Sequence, residues 1–319
     1  MCEELNSRID QISDIISGFS NLSDLNSIDG PHFVDEGGFA YIIAYEFSSF
    51  IKKNLISSNQ LRKIFKEIKD LERLGNWDDA KVGFNFIKPK LAISAYRKSQ
   101  SKALIPFKFY QLISIVMSKV EVKNDSELSY SNLILFSKFF EAIVAYHKFH
   151  EDNFKYGNSS NKVDDEKTDF DIEKIKEIKS LISNFSTLED LESLGGDDKP
   201  TFESEGGLAS NIAYQFSRKG KPINDNQIRR FFGEIKRIER YGNWQDAETD
   251  FILLKARLAN SAARKTNERN LIPYEFFDII CISMNKVYAK GDDDLKFKNL
   301  KLFARFFEAI VGFHMFFNL

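Results

Sequence analysis

Arg62, Lys66, Lys69 and Arg73 recur at spacings of four, three and four. On a helix that rhythm sets four cations on one face. A row of this kind can grip phosphates, holding a sugar–phosphate chain without reading its bases. Lys90, Ser94 and Arg97 make a second line, with Lys88 beside it. Both rows come back further along the chain. Arg229, Gly233, Lys236 and Arg240 repeat the first, with one cation lost at Gly233; Arg257, Ser261 and Arg264, with Lys255 alongside, repeat the second. One turn beyond, the line meets Ser101 in one case and Glu268 in the other, and the basic character ends. The competing reading is an ordinary solvated face, its charges balanced by Glu67, Asp70 and Glu72.

Catalytic chemistry finds less support. Of the four His residues only His147 and His314 correspond to each other, and each stands near the end of a Phe-rich stretch. No pair of metal ligands at a useful spacing is common to both halves, so these read as helix-end side chains rather than ligands or bases. Gly37-Gly38 and Gly206-Gly207 are not phosphate loops, because no Gly-Lys-Ser/Thr follows and no strand pattern precedes them. Glu141 and Glu308 each have a cation three residues earlier, Lys138 and Arg305, which predicts surface ion pairs. With no base–nucleophile set in view, a nuclease is set aside. The expectation is a protein that is not an enzyme and has no catalytic residue, metal site or cofactor.

The elements that position the cations follow from a duplication. Gln60, Trp77 and Phe139 return as Gln227, Trp244 and Phe306, all at an offset of 167, each within a matching segment. Residues 1–150 and 172–319 are thus expected to be homologous domains. The polar stretch 151–171 between them, with its Gly157-Asn158-Ser159-Ser160-Asn161 run, reads as a flexible linker. Ile9, Ile12, Ile16 and Phe19 have helical spacing, as do Ile175, Ile178, Ile182 and Phe185. A second helix is expected after each glycine pair. Ser57 with Gln60, and Asn224 with Gln227, predict a capping box opening the third. Gly75-Asn76 and Gly242-Asn243 then punctuate a tight helical hairpin, with Trp77 or Trp244 in the first turn that follows. Pro106 and Pro273 open a fifth helix, and the Phe-rich segment makes a sixth. The fold class predicted is all-α, two tandem helical bundles of about five to six helices each.

Bulk properties agree. The 43% apolar content and 31 Phe residues among 319 can supply two cores, and they exclude a disordered chain. The net charge of −2 means any electrostatic site must be a local patch. Cys2 and Cys281 are not equivalents, which argues against a disulfide framework. No uninterrupted apolar run has membrane-spanning length, and Met1-Cys2-Glu3-Glu4 does not look like a signal peptide. A soluble cytoplasmic protein is expected.

The same residues carry a family likeness. Gln60 to Phe65, Leu91-Ala92 with Ala95 and Arg97, and Phe140 to Lys148 resemble the small subunit (the second Csm subunit) of type III-A CRISPR–Cas effector complexes. The second copy is similar through Gln227-Ile228-Arg229, Lys255 to Ala259, Arg264 and Phe307 to Val311. The likeness covers roughly the last two-thirds of each repeat, and its motifs keep their order twice. It implies a compact bundle without nuclease activity that stacks along a crRNA-guided complex, lines the target RNA and contacts the backbone and large subunits. By position it assigns RNA contact to Arg62, Lys69, Lys90 and Arg97, and to Arg229, Lys236, Arg257 and Arg264. This chain departs from the family's usual single domain in being a tandem, and one chain is expected to replace two successive stacked protomers. The alternative is a helical scaffold that meets only proteins.

Overall fold

The computed structural model describes residues 2–48, 56–99, 102–156, 171–195, 200–217, 223–266, 269–288 and 290–318. It divides into two compact units, Met1–Ser159 and Ser160–Leu319. The first contains α1 (Cys2–Ser17), α2 (Phe39–Ser48), α3 (Ser58–Glu72), α4 (Trp77–Tyr96), α5 (Phe107–Ser118) and α6 (Ser126–Tyr156). The second repeats the order with α7 (Ile172–Ser183), α8 (Leu208–Ser217), α9 (Asp225–Glu239), α10 (Trp244–Ala263), α11 (Tyr274–Tyr288) and α12 (Asp293–Phe317). A 3-10 turn follows the first helix of each, at Leu22–Ser27 and Leu188–Leu194. The fold is all-α with six α-helices in each unit among the described residues. The only strands described are two-residue antiparallel ladders, β1 (Lys98–Ser99) with β2 (Lys102–Ala103) and β3 (Lys265–Thr266) with β4 (Arg269–Asn270). The polar stretch beginning at Glu151 opens as the last six residues of α6, and residues 157–170 lie outside the described residues.

Local chemistry explains where the elements begin. Ser57 accepts a hydrogen bond from the Gln60 amide while the Gln60 side chain accepts from the Ser57 amide, a complete capping box on α3. On α9 only half of it forms: Asn224 accepts from the amide of Asn226. Gly75 (φ 81°) and Gly242 (φ 84°) take left-handed backbone that ends the helix before each, and Asn76 and Asn243 cap α4 and α10. The glycine pairs before α2 and α8 have a steric cause. Gly37 (φ 79°) and Gly206 (φ 76°) turn the chain, while a Cβ on Gly38 would lie 2.1 Å from the His32 carbonyl oxygen and one on Gly207 2.0 Å from that of Thr201.

The last helix of each unit is the axis of its core. Against α6 pack α2 and α3, and α8 and α9 pack likewise on α12. Phe136, Phe139 and Phe140 on α6 are fully buried, with Phe136 and Phe140 ring centroids 6.0 Å apart and Phe84 of α4 edge-on to Phe136 at 5.6 Å. Phe303, Phe306 and Phe307 repeat the arrangement on α12. Truncating one such ring to Ala costs about 3–5 kcal/mol. Residues 126–153 are long and apolar enough to cross a membrane, yet 67% of the window is buried inside the protein, as a core helix requires.

Candidate nucleic-acid interface

Leu61 and Ile68 anchor α3 in the core, which turns Arg62, Lys66 and Arg73 to solvent and leaves Lys69 half-buried. The hairpin at Gly75-Asn76 brings α4 back alongside, with Lys88, Lys90 and Arg97 exposed. In the second unit Arg229, Arg240 and Arg264 are exposed, while Lys236 and Arg257 are half-buried. The expected side chains therefore share a surface within each unit, with one exception.

The exception is Lys255, which is 3% exposed. Its ammonium donates to Asn285 and Tyr288 of α11 and lies 4.9 Å from the centre of the Tyr288 ring. Such a lysine is unavailable to a polyanion, and its proposed role in RNA contact is withdrawn. Its equivalent, Lys88, differs because α5 offers Ser118 and, just beyond it, Glu121 at the matching positions, and Glu121 pairs with Lys81 at 2.5 Å.

Carboxylates occupy part of each row. Lys69 meets Glu72 at 2.7 Å and Lys236 meets Glu239 at 2.5 Å, at equivalent positions. Lys90 reaches Glu67 at 2.7 Å and Arg257 reaches Glu234 at 3.0 Å, tying the fourth helix of each unit to the third. Arg73 pairs with Asp70 at 2.9 Å. The balanced-charge reading thus holds for Lys69, Arg73, Lys90, Lys236 and Arg257 and fails for the remaining exposed cations. Arg62, Lys66, Lys88, Arg97, Arg240 and Arg264 have no side-chain ion pair among the described residues, and Arg229 has only a 3.3 Å contact to the Met315 sulfur. Exposed ion pairs contribute only about 0–1 kcal/mol each, so an arriving phosphate can displace those carboxylates cheaply.

Lys63 and Arg230, exposed and equivalent, join this surface although the four-three-four rhythm passes over them. The common offset was the signal that could have found them. Extending the row to Ser101 and Glu268 assumed a continuing helix. Instead α4 stops at Tyr96 and α10 at Ala263, the chain turns into the small ladders, and Ser101 and Glu268 lie outside the described residues.

Arg305 pairs with Glu203 at 2.8 Å and Glu192 at 3.6 Å, so its partner is not Glu308. His147 is 1% exposed, with Nε2 3.3 Å from the Phe47 carbonyl and Nδ1 3.3 Å from the Ser58 hydroxyl. It joins the end of α2 to the start of α3, and burial lowers its pKa from 6.5 to about 4. His314 is fully buried, 3.4 Å from Asp225 at the start of α9, its pKa likewise lowered by burial. Both are buried and tie core elements together. Among the described residues no cluster of three or more His, Cys, Asp or Glu is placed to hold a metal.

Two helical units of one pattern, each with basic side chains gathered along its third and fourth helices, define a duplicated small-subunit-like module. A family model described as Csm2 Type III-A matches residues 41–153 and, again, residues 202–319, together well over half of the chain. The chain belongs to that family: it is a tandem-duplicated small subunit of a type III-A CRISPR effector complex, a partner of the complex's other subunits. The matched stretches leave out α1 and α7 with the loops after them. No curated protein and no solved structure matches the chain.

Proposed function

We propose that this subunit is non-catalytic and holds the target RNA along the crRNA-guided path through the exposed cations of α3, α4, α9 and α10. The observation that carries the reading is the repeated set of free arginines, Arg62 and Arg97 in the first unit and Arg229 and Arg264 in the second, all exposed and without a carboxylate partner among the described residues. Cations held on rigid helices and left unneutralised cost nothing to free when a phosphate arrives. Titrating unstructured single-stranded RNA against the full chain tests it. Four phosphate contacts give a log–log salt slope of about −3 and no base preference; a slope near zero overturns the reading.

Two family matches in one chain support the further proposal that the units fill two successive small-subunit places in one complex. Single-particle imaging of the assembled complex tests this; two units of one chain in non-adjacent places would refute it.

A protein-only scaffold is favoured by one feature. Val82, Phe86, Ile93 and Tyr96 form an apolar stripe along α4, between 56% and 76% exposed, with Phe107 beside Tyr96 at 6.4 Å. That face suits a neighbouring subunit. It lies on the same helix as Lys90 and Arg97, and the two roles are compatible.

A further inference from the structure

Between α3 and α4 of the first unit runs a groove of about 320 Å³. Its floor is aliphatic: Ile64, Ile87, Leu91, Leu104 and Ile105. Three of these, Ile87, Leu91 and Ile105, are 2% exposed and held by the core, so the floor is rigid. The rim is polar. Lys63 and Gln60 stand on the α3 side, Ser94 on the α4 side, and the Lys90–Glu67 ion pair joins the two helices. Gln60 uses its carbonyl oxygen on the Ser57 cap, which leaves its amide NH₂ to donate. The Ser94 hydroxyl donates to the Lys90 carbonyl and keeps its lone pairs for an incoming donor. Free cations flank the groove, Lys63, Arg62 and Lys66 on one helix and Arg97 on the other.

We propose that this groove takes one unstacked nucleobase from the bound strand. The inference rests on the RNA reading above and deepens it. An apolar slot of this volume bordered by one free amide donor, one hydroxyl acceptor and several cations fits a flat heterocycle whose own backbone carries phosphates on both sides. A ligand with an apolar face but no negative charge would leave the flanking cations unused. The rim contributes too few directed polar groups for a full base code, so the groove accepts a base without selecting its sequence.

The second unit supplies an internal control. Nine of the ten positions around the groove keep their chemical character there, including Gln227, Glu234, Arg257 and Ser261. The tenth changes size: Phe231 stands where Ile64 does, 8% exposed, its ring 5.2 Å from that of Phe307. On this proposal the larger side chain takes up room that Ile64 leaves open, and base capture belongs to the first unit.

Ile64→Phe imports the second unit's own residue, removes no cation and is already accommodated by that fold. The full-length variant and the unaltered chain are titrated with two single-stranded RNAs, one containing 2-aminopurine and one with abasic sites, across a range of salt. The expected result is a loss of about tenfold in affinity for the base-containing RNA, an altered 2-aminopurine signal and an unchanged salt slope, with the abasic RNA bound equally by both proteins. Equal affinity of variant and unaltered chain for the base-containing RNA, with the salt slope intact, overturns the groove proposal alone. If neither protein binds either RNA, the RNA reading itself fails. If Ile64→Phe instead impairs incorporation into the complex and leaves RNA binding unchanged, the groove receives a protein side chain and the proposal is refuted.

Discussion

Acid should unfold the first unit well before the second. The perturbation is a shift from pH 7 to pH 5, and its targets are His32, His147 and His150, all placed by burial at a pKa of about 4 against an ordinary 6.5. His150 is 4% exposed, has no hydrogen-bond partner on Nε2, and is packed edge-on by the rings of Tyr41 at 4.6 Å and Tyr45 at 5.2 Å. In each case the folded protein keeps the imidazole neutral while the unfolded chain takes up a proton. Stability is therefore fully present above 6.5, falls as pH drops below it, and reaches its floor near 4. At pH 5 the difference amounts to about 2 kcal/mol for each group. His147 and His150 repel once charged, so the three do not sum simply, but their combined loss is a large part of the roughly 5–15 kcal/mol that holds a domain folded. The second unit has a single lowered histidine, His314, with Asp225 raising its pKa in partial compensation. Each unit also has one buried tryptophan, Trp77 or Trp244. Thermal unfolding followed by fluorescence in Trp77→Phe and Trp244→Phe variants therefore reports the units separately. The Trp77 transition should fall by roughly 10 °C or more between pH 7 and pH 5, and the Trp244 transition by much less. Replacing His150 with Phe, the residue its equivalent Phe317 already is, should narrow the gap. Transitions that move in parallel, or a first unit that resists acid better, would refute the reasoning.

Lys255→Ala strips Asn285 and Tyr288 of their charged donor, so the Trp244-reported transition should lose about 2 kcal/mol while Lys88→Ala leaves the Trp77-reported transition unmoved; paired unfolding curves check both. Gly38→Ala sets a Cβ against the His32 carbonyl, where only backbone movement can relieve the clash, and should cost the first unit about 2–3 kcal/mol in denaturant titration.

The helices and the duplication were legible because punctuation residues sit at fixed offsets. Gly75-Asn76-Trp77 and Gly242-Asn243-Trp244 end one helix and start the next by local chemistry alone, and α4 and α10 begin where those residues say. The surface was only half legible. Helical spacing shows which cations share a face, but burial depends on the neighbour across the interface. Lys88 and Lys255 have the same spacing, and only Ser118 and Glu121 against Asn285 and Tyr288 separate an exposed cation from a buried one. The fates of His147 and His314 were hidden for the same reason. Their partners, Phe47 and Ser58 in one unit and Asp225 in the other, are about 90 residues or more away in the chain. Glycine pairs were set aside as phosphate loops on motif grounds, and their actual cause, a carbonyl oxygen about 2 Å from where a Cβ would stand, appears only in three dimensions.

The proposed RNA binding rests on the unpaired arginines. Arg62→Glu combined with Arg229→Glu alters one exposed position in each unit, and neither residue has an ion pair to break among the described residues. Titrated with single-stranded RNAs of unrelated sequence, the double variant should bind each at least about tenfold more weakly than the unaltered chain, by a similar factor throughout, with folding intact and a shallower salt slope. Affinity unchanged across those RNAs would contradict the claim.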